Sequence, residues 1–313
     1  MTAAVTWANI MDALAGVSST SAFVDHTGVS WAISGELPIV LMTWAGTGSA
    51  MDNTGWPQPA AVAQAAAAAF PNVFTWQPVG NYPASIFNPN MGASALDGKN
   101  EGVRLATDVW PNNLIIPIGY SQGAICGSWW WRDFILANGL QARVPAALMW
   151  GNPLRSPGYA NGNAYAGWGM PGLRDGQVTG GISGPDCLTP AQTPSNWLDF
   201  VWLGTDGGAT ELYTNAPIGT DPWTAETEVG HDETLIYNII VSQDFGGTIE
   251  GLVALIEAAV EQFVNPITMV IAMAEAIWNG LQFVAAGPSA DHYAYDITPM
   301  INYLTQVVAP QFA

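Results

Sequence analysis

Positive charge is scarce in this chain: six Lys and Arg stand against 25 Asp and Glu among 313 residues, a formal charge of −19 at pH 7. Phosphate backbones are held through Lys and Arg, so this balance argues against nucleic acid as a partner. The six are Lys99, Arg104, Arg132, Arg143, Arg155 and Arg174. A secretory signal opens on a positive segment, and the first 98 residues contain no Lys or Arg. The expectation is synthesis in the cytoplasm without a signal peptide of its own. Long apolar runs are missing too. The stretches 262–274 and 276–290 are parted by Glu275 and contain Asn, Gln and Pro. Neither reaches the ~18 uninterrupted residues of a membrane span, so no transmembrane anchor is expected. Cys126 and Cys187, the two cysteines, could pair with each other but make no disulfide framework, and separate buried thiols are the preferred reading. No Cys/His spacing suits zinc and no acidic loop suits calcium, so neither metal nor cofactor is expected.

What is present in quantity is apolar. Nearly half the residues are hydrophobic and 15 are Trp, enough for a sizeable core and against disorder. Leu114-Ile115-Ile116-Pro117-Ile118 has the length of a buried strand, and Ala124 to Trp129 can continue as a helix. Between them stands Gly119-Tyr120-Ser121-Gln122-Gly123. Strand, G-x-S-x-G, helix is the setting in which a serine sits on a sharp turn as a nucleophile. The turn is strained and crowded, which is why both flanking positions need glycine. A glycine-rich turn with an exposed serine is the plainer reading. Pro117 argues against a central strand, because it donates no ladder hydrogen bond.

Other strand candidates are 38–44, 73–76, 146–150 and 198–203, with helices at 60–70 and 100–110 between them. Alternation of this kind predicts a mostly parallel sheet with helices on both faces. Ligands of such sheets lie beyond the carboxyl ends of the strands. Gly46-Thr47-Gly48, Ser121 and Gly204-Thr205-Asp206 all follow strand ends and share that rim. The segment 155–196, rich in Gly, Pro, Asn and Ser, reads as a long loop. Residues 1–36 read as an N-terminal extension with one short helix at 7–15, and 37–229 as the α/β core. Residues 230–287 carry apolar positions at helical spacing, either as an insertion over the sheet or as ordinary packing layers. Residues 288–313 return to the core, with Thr298 as N-cap and Pro299 opening a last helix.

A serine hydroxyl needs a base, and the base needs orienting. Three histidines make the search short. In α/β-hydrolases the chain order is Ser, then Asp or Glu, then His, which removes His26. His292, between the helical segment and the last helix, is preferred to His231, which a polar helix face explains. Asp206, just beyond a strand end, is the first candidate for the acid and Glu211 the alternative. Asp199 and Asp221 are better explained as strand-edge and loop residues. Two backbone N–H groups would hold the oxyanion: that of Gln122 at a helix N-terminus, and that of Thr47. Trp129-Trp130-Trp131 occupy successive helix positions about 100° apart, so all three cannot face the sheet.

Gly119-Tyr120-Ser121-Gln122-Gly123-Ala124 resembles the nucleophile motif of the cutinase-like serine esterases. Gly46-Thr47-Gly48, Trp76-Gln77-Pro78-Val79-Gly80-Asn81-Tyr82-Pro83 and Trp150-Gly151-Asn152-Pro153 add to it. Together they resemble the Lysin B esterases of bacteriophages infecting mycobacteria, from about Pro38 to the C-terminus. The resemblance implies a cutinase-like α/β-hydrolase fold with a helical linker subdomain. It implies hydrolysis of the ester joining mycolic acids to arabinogalactan, at the host envelope during lysis. Ser121 would be the nucleophile and His292 the base. The family's Gly-Asp-(Leu/Met)-Tyr acid motif is split here between Gly204-Thr205-Asp206 and Glu211-Leu212-Tyr213. A general cutinase or lipase, and a non-catalytic wall-binding or virion protein on the same fold, are the alternatives.

Overall fold

The computed structural model describes residues 22–24, 30–32, 37–85, 88–204, 211, 213–225, 227–242 and 291–313. Near the N-terminus, β1 (Ala22–Val24) and β2 (Ser30–Ala32) pair antiparallel. The helix expected at 7–15 lies outside the described residues.

Among the described residues the main sheet has five strands, all parallel: β3 (Ile39–Trp44), β4 (Phe74–Pro78), β5 (Ile115–Tyr120), β6 (Ala147–Trp150) and β7 (Trp197–Phe200). Their spatial order is β4-β3-β5-β6-β7. Chain direction across the sheet therefore reverses between β3 and β5, and the crevice at such a reversal is where ligands bind in open α/β sheets. β3, β5 and β6 are buried along their whole length. That explains why they read as unbroken apolar runs rather than as alternating ones. Pro117 does sit in β5; the ladder to β6 begins one residue later, at Ile118.

Side chains of each strand alternate between two cores. Val40, Met42, Trp44 and Met149 face a layer built by α2 (Met91–Arg104) and α3 (Gln122–Trp130). Leu41, Ile116, Ile118, Leu148 and Trp150 face α1 (Pro59–Ala69) and the C-terminal helix. α4 (Asn163–Ala166) is a short turn beside β7. α5 (Glu228–Ser242) packs against α2, with Tyr237 buried in the first core. A Cβ on Gly92 of α2 would come 2.6 Å from the Val241 carbonyl oxygen, so glycine lets the two helices approach. Residues 243–287 of the expected linker subdomain lie outside the described residues.

α6 (Thr298–Asn302) continues as a wider turn through Val308. Thr298 is its first residue rather than its cap; the Thr298 N–H donates to Asp296 Oδ1 (2.9 Å). The three tryptophans diverge as their spacing requires. Trp130 packs on Trp44, Trp131 stacks on Trp197, and half-buried Trp129 turns outward to donate its Nε1–H to Asp186 (2.9 Å). Cys126 and Cys187 are separate buried thiols.

Candidate active site

Ser121 stands between β5 and α3 with φ 56° and ψ −123°, a conformation that costs a non-glycine residue about 1–3 kcal/mol. Packing on both sides imposes it. A Cβ on Gly119 would fall 2.7 Å from the Gly123 carbonyl oxygen, and one on Gly123 only 2.1 Å from that of Trp44. Glycine at both positions lets α3 start directly against the end of β3. The Ser121 N–H donates to the Trp150 carbonyl (3.1 Å), tying the turn to the end of β6.

His292, from the loop before α6, brings its Nε2 to 2.9 Å from Ser121 Oγ. Its Nδ1 lies 3.0 Å from Glu211 Oε2 and 3.3 Å from Oε1. Both side chains are buried. An ionised carboxylate only accepts, so the Nδ1 proton points to Glu211 and the Nε2 lone pair faces the serine hydroxyl. The carboxylate behind the imidazole is thus that of the alternative acid. Asp206, the first candidate, lies outside the described residues, as does His26. His231 is exposed on the first turn of α5, and the imidazole at Ser121 belongs to His292.

Glu211 reaches this position on a segment laid against a distant part of the chain. Gly180 pairs with Ala216, and the Ile182 N–H donates to the Tyr213 carbonyl (3.0 Å). Arg155, fully buried, donates to the carbonyls of Thr214 and Tyr159 (2.7 Å each) and to Thr179 Oγ1 (3.0 Å). Burial pulls its pKa down to about 10, an effect the charge of Asp199 partly offsets. The Thr214 N–H in turn donates to Glu211 Oε1 (3.2 Å). Asp199 accepts from Asn152 Nδ2 (2.7 Å) and Trp197 Nε1 (3.1 Å), and burial pushes it up to about 6. It is therefore a core residue, not a strand-edge solvation site.

Aromatic rings fix the imidazole. Tyr120 stacks on it at 5.1 Å and 25°, and Tyr213 packs at 4.7 Å and 31°. The Tyr120 hydroxyl also donates to the His292 carbonyl (2.8 Å). Gly151, at φ 55°, leaves room for the ring: a Cβ there would meet His292 Cε1 at 2.6 Å. Sequence reasoning gave Tyr120, Tyr213, Gly151 and Arg155 no role. A signal existed for Arg155, since a lone cation in an anion-rich chain placed just after Trp150-Gly151-Asn152-Pro153 calls for a reason.

Of the two expected oxyanion donors, Gln122 is the first residue of α3, so its N–H has no acceptor within the helix. Thr47 sits between two engaged neighbours. The Gly46 N–H donates to Gln58 Oε1 (3.0 Å) and the Gly48 N–H to the Ala84 carbonyl (2.8 Å). Among the described residues, no His/Cys/Asp/Glu group with the makings of a metal site occurs.

Comparison with known proteins extends this picture. The chain is 27% identical over 246 residues to Endolysin B of Mycobacterium phage D29, covering 75% of this chain and 88% of that protein. The chain is similar to the endolysins B of mycobacteriophages. Endolysin B of Mycobacterium phage L5 is likewise 27% identical, over 249 residues. The crystal structure of lysin B from phage D29 superposes with a TM-score of 0.55 at 26% identity, covering 86% of this chain and 99% of that one. No protein-family model matches. The fold is that of an α/β-hydrolase, with the lysin B structure as its neighbour.

Proposed function

We propose that the protein is a serine esterase that cleaves the ester between mycolic acids and arabinogalactan, acting at the envelope of a mycobacterial-type host during phage lysis. The observation that carries the reading is the unbroken line from Ser121 Oγ through the His292 imidazole to Glu211. The likeness to endolysins B supports an esterase-type lysin, and the phage hosts of those relatives support the substrate class. Ser121 Oγ attacks the ester carbonyl while its proton passes to His292 Nε2. Glu211 holds the tautomer and offsets the imidazolium charge. The N–H groups of Gln122 and Thr47 stabilise the oxyanion. When the tetrahedral adduct collapses, the C–O bond to the sugar breaks and His292 returns the proton to the leaving hydroxyl. Water then enters with the same base, and the acyl-enzyme is hydrolysed to a free acid and Ser121.

A fluorophosphonate probe tests the chemistry, and mycolate release from purified mycolyl-arabinogalactan tests the substrate. Labelling at Ser121 with mycolate release is the expected result. Folded protein that resists the probe would instead be a binding module. Hydrolysis of short-chain esters without mycolate release would make it a general cutinase.

A further inference from the structure

Gln58 stands at the N-cap of α1, where Ser, Thr, Asp or Asn ordinarily accepts a hydrogen bond from the helix's own first turn. Its side chain makes no such bond. The amide turns back across the rim, and Oε1 accepts the Gly46 N–H at 3.0 Å, with the side chain buried. A local preference given up in favour of a contact twelve residues away points to a demand from elsewhere in the fold.

That demand lies in the loop after β3. Gly46 is packed so closely on Tyr120 that a Cβ would meet the ring at 2.7 Å. Gly48, at φ 72°, is tied on the other side by its N–H to the Ala84 carbonyl (2.8 Å). The chain beyond Ala84 is held in turn by Gln122, whose Nε2 donates to the Ser85 carbonyl (2.8 Å). The loop is pinned one residue before Thr47 and one residue after it. The second pin runs back to the residue that follows the nucleophile.

We propose that Gln58 is a positioning residue for the oxyanion site: by holding the Gly46 N–H it anchors the Ala45–Gly46 peptide, on which the next peptide, presenting the Thr47 N–H to the reacting carbonyl, is hinged. Gln58 touches no substrate atom and acts through the loop. The inference rests on the serine-esterase reading above. Its energetic basis is that preorganised donors stabilise the transition state far more than the bound substrate.

The test compares wild type, Gln58→Met and Ser121→Ala with a p-nitrophenyl ester. It also uses a trifluoromethyl ketone, which adds to the serine as a tetrahedral oxyanion. Gln58→Met keeps the length of the side chain and removes the amide acceptor. The expected result is a fall in kcat of about 10- to 100-fold, below the full loss of a donor, with KM within about twofold. Affinity for the ketone falls by the same factor as kcat/KM. Active sites are counted by fluorophosphonate titration in enzyme kept well below its Tm, and kcat and ketone affinity are expressed per active site, so a merely structural role, which lowers the amount of folded enzyme, would leave both unchanged. Full kcat and unchanged ketone affinity in folded Gln58→Met would overturn the inference while Ser121→Ala stays inactive. Activity retained in Ser121→Ala would overturn the esterase reading itself. If Gln58→Met does not fold, Gln58→Asn, one methylene too short to reach Gly46, is read against the same two outcomes.

Discussion

Glu211 and His292 form a buried pair whose value lies in a single proton position. The carboxylate holds hydrogen on Nδ1 (3.0 Å) and so keeps the Nε2 lone pair on Ser121 Oγ (2.9 Å). An amide in place of the carboxylate keeps the shape but presents an N–H, favouring the tautomer with hydrogen on Nε2. Glu211→Gln is therefore expected to lower kcat by about 10³- to 10⁴-fold with little change in KM, as a wrong tautomer does in related triads. Asp206→Ala is expected to stay near wild type. Steady-state kinetics on one soluble ester decides between them, and the reverse pattern would return the acid role to Asp206. Asp206 is favoured by local placement alone, an acid just past a strand end. Glu211 is instead brought in by pairing of 216 with 180 and by the Arg155 bond to Thr214, contacts that no spacing along the chain displays.

Elements built on burial were the easiest to read. β3, β5 and β6 matched their apolar runs to within a residue or two because parallel strands covered on both faces have no polar side. The sequence pattern predicts the start of α2 near Asn100, and it lies at Met91. The missed turns contain Gly92 and Gly98, poor helix formers on their own. Glycine is there because Val241 crowds the first, while Cys126 and Tyr82 crowd the second. Tertiary packing had overridden propensity, and only the partners reveal it. The same crowding governs the elbow between β5 and α3. In Gly123→Ala the new Cβ must displace the Trp44 or Ala45 carbonyl, at 2.1 and 2.6 Å. Overpacking against backbone costs about 1–3 kcal/mol, so for a chain of this length Tm is expected to fall by roughly 2–5 °C, with activity lost as α3 shifts. Gly80→Ala, with nothing within 4 Å of the new Cβ, serves as the control and should shift Tm by less than about 1 °C. Equal melting of the two variants would show that the elbow is not held by this contact.

Across the whole molecule the excess of acidic side chains acts on stability rather than on the fold. With a formal charge of −19 at pH 7, the surface repels itself, and compaction brings those charges closer than they lie in the unfolded chain. Salt shortens the reach of that repulsion from about 30 Å at 0.01 M to about 8 Å at 0.15 M. The few cations among the described residues are largely committed locally: Arg104 pairs with Glu101, Arg132 with Asp133 and Asp186, and Arg155 and Arg143 donate to carbonyls inside the core. Screening therefore removes more repulsion than attraction, and its sign is stabilising. At pH 7, Tm is expected to rise by several degrees between 0.01 and 0.15 M NaCl, and a sodium or potassium salt should serve equally. Near pH 4.1, where the net charge vanishes, the same increment should leave Tm almost unchanged or lower it, because only the attractive pairs remain to be screened. Differential scanning fluorimetry at the two pH values reads both arms. A salt response of the same size at pH 4.1 as at pH 7 would mean that ion-specific binding, and not self-repulsion, sets the stability of this acidic surface.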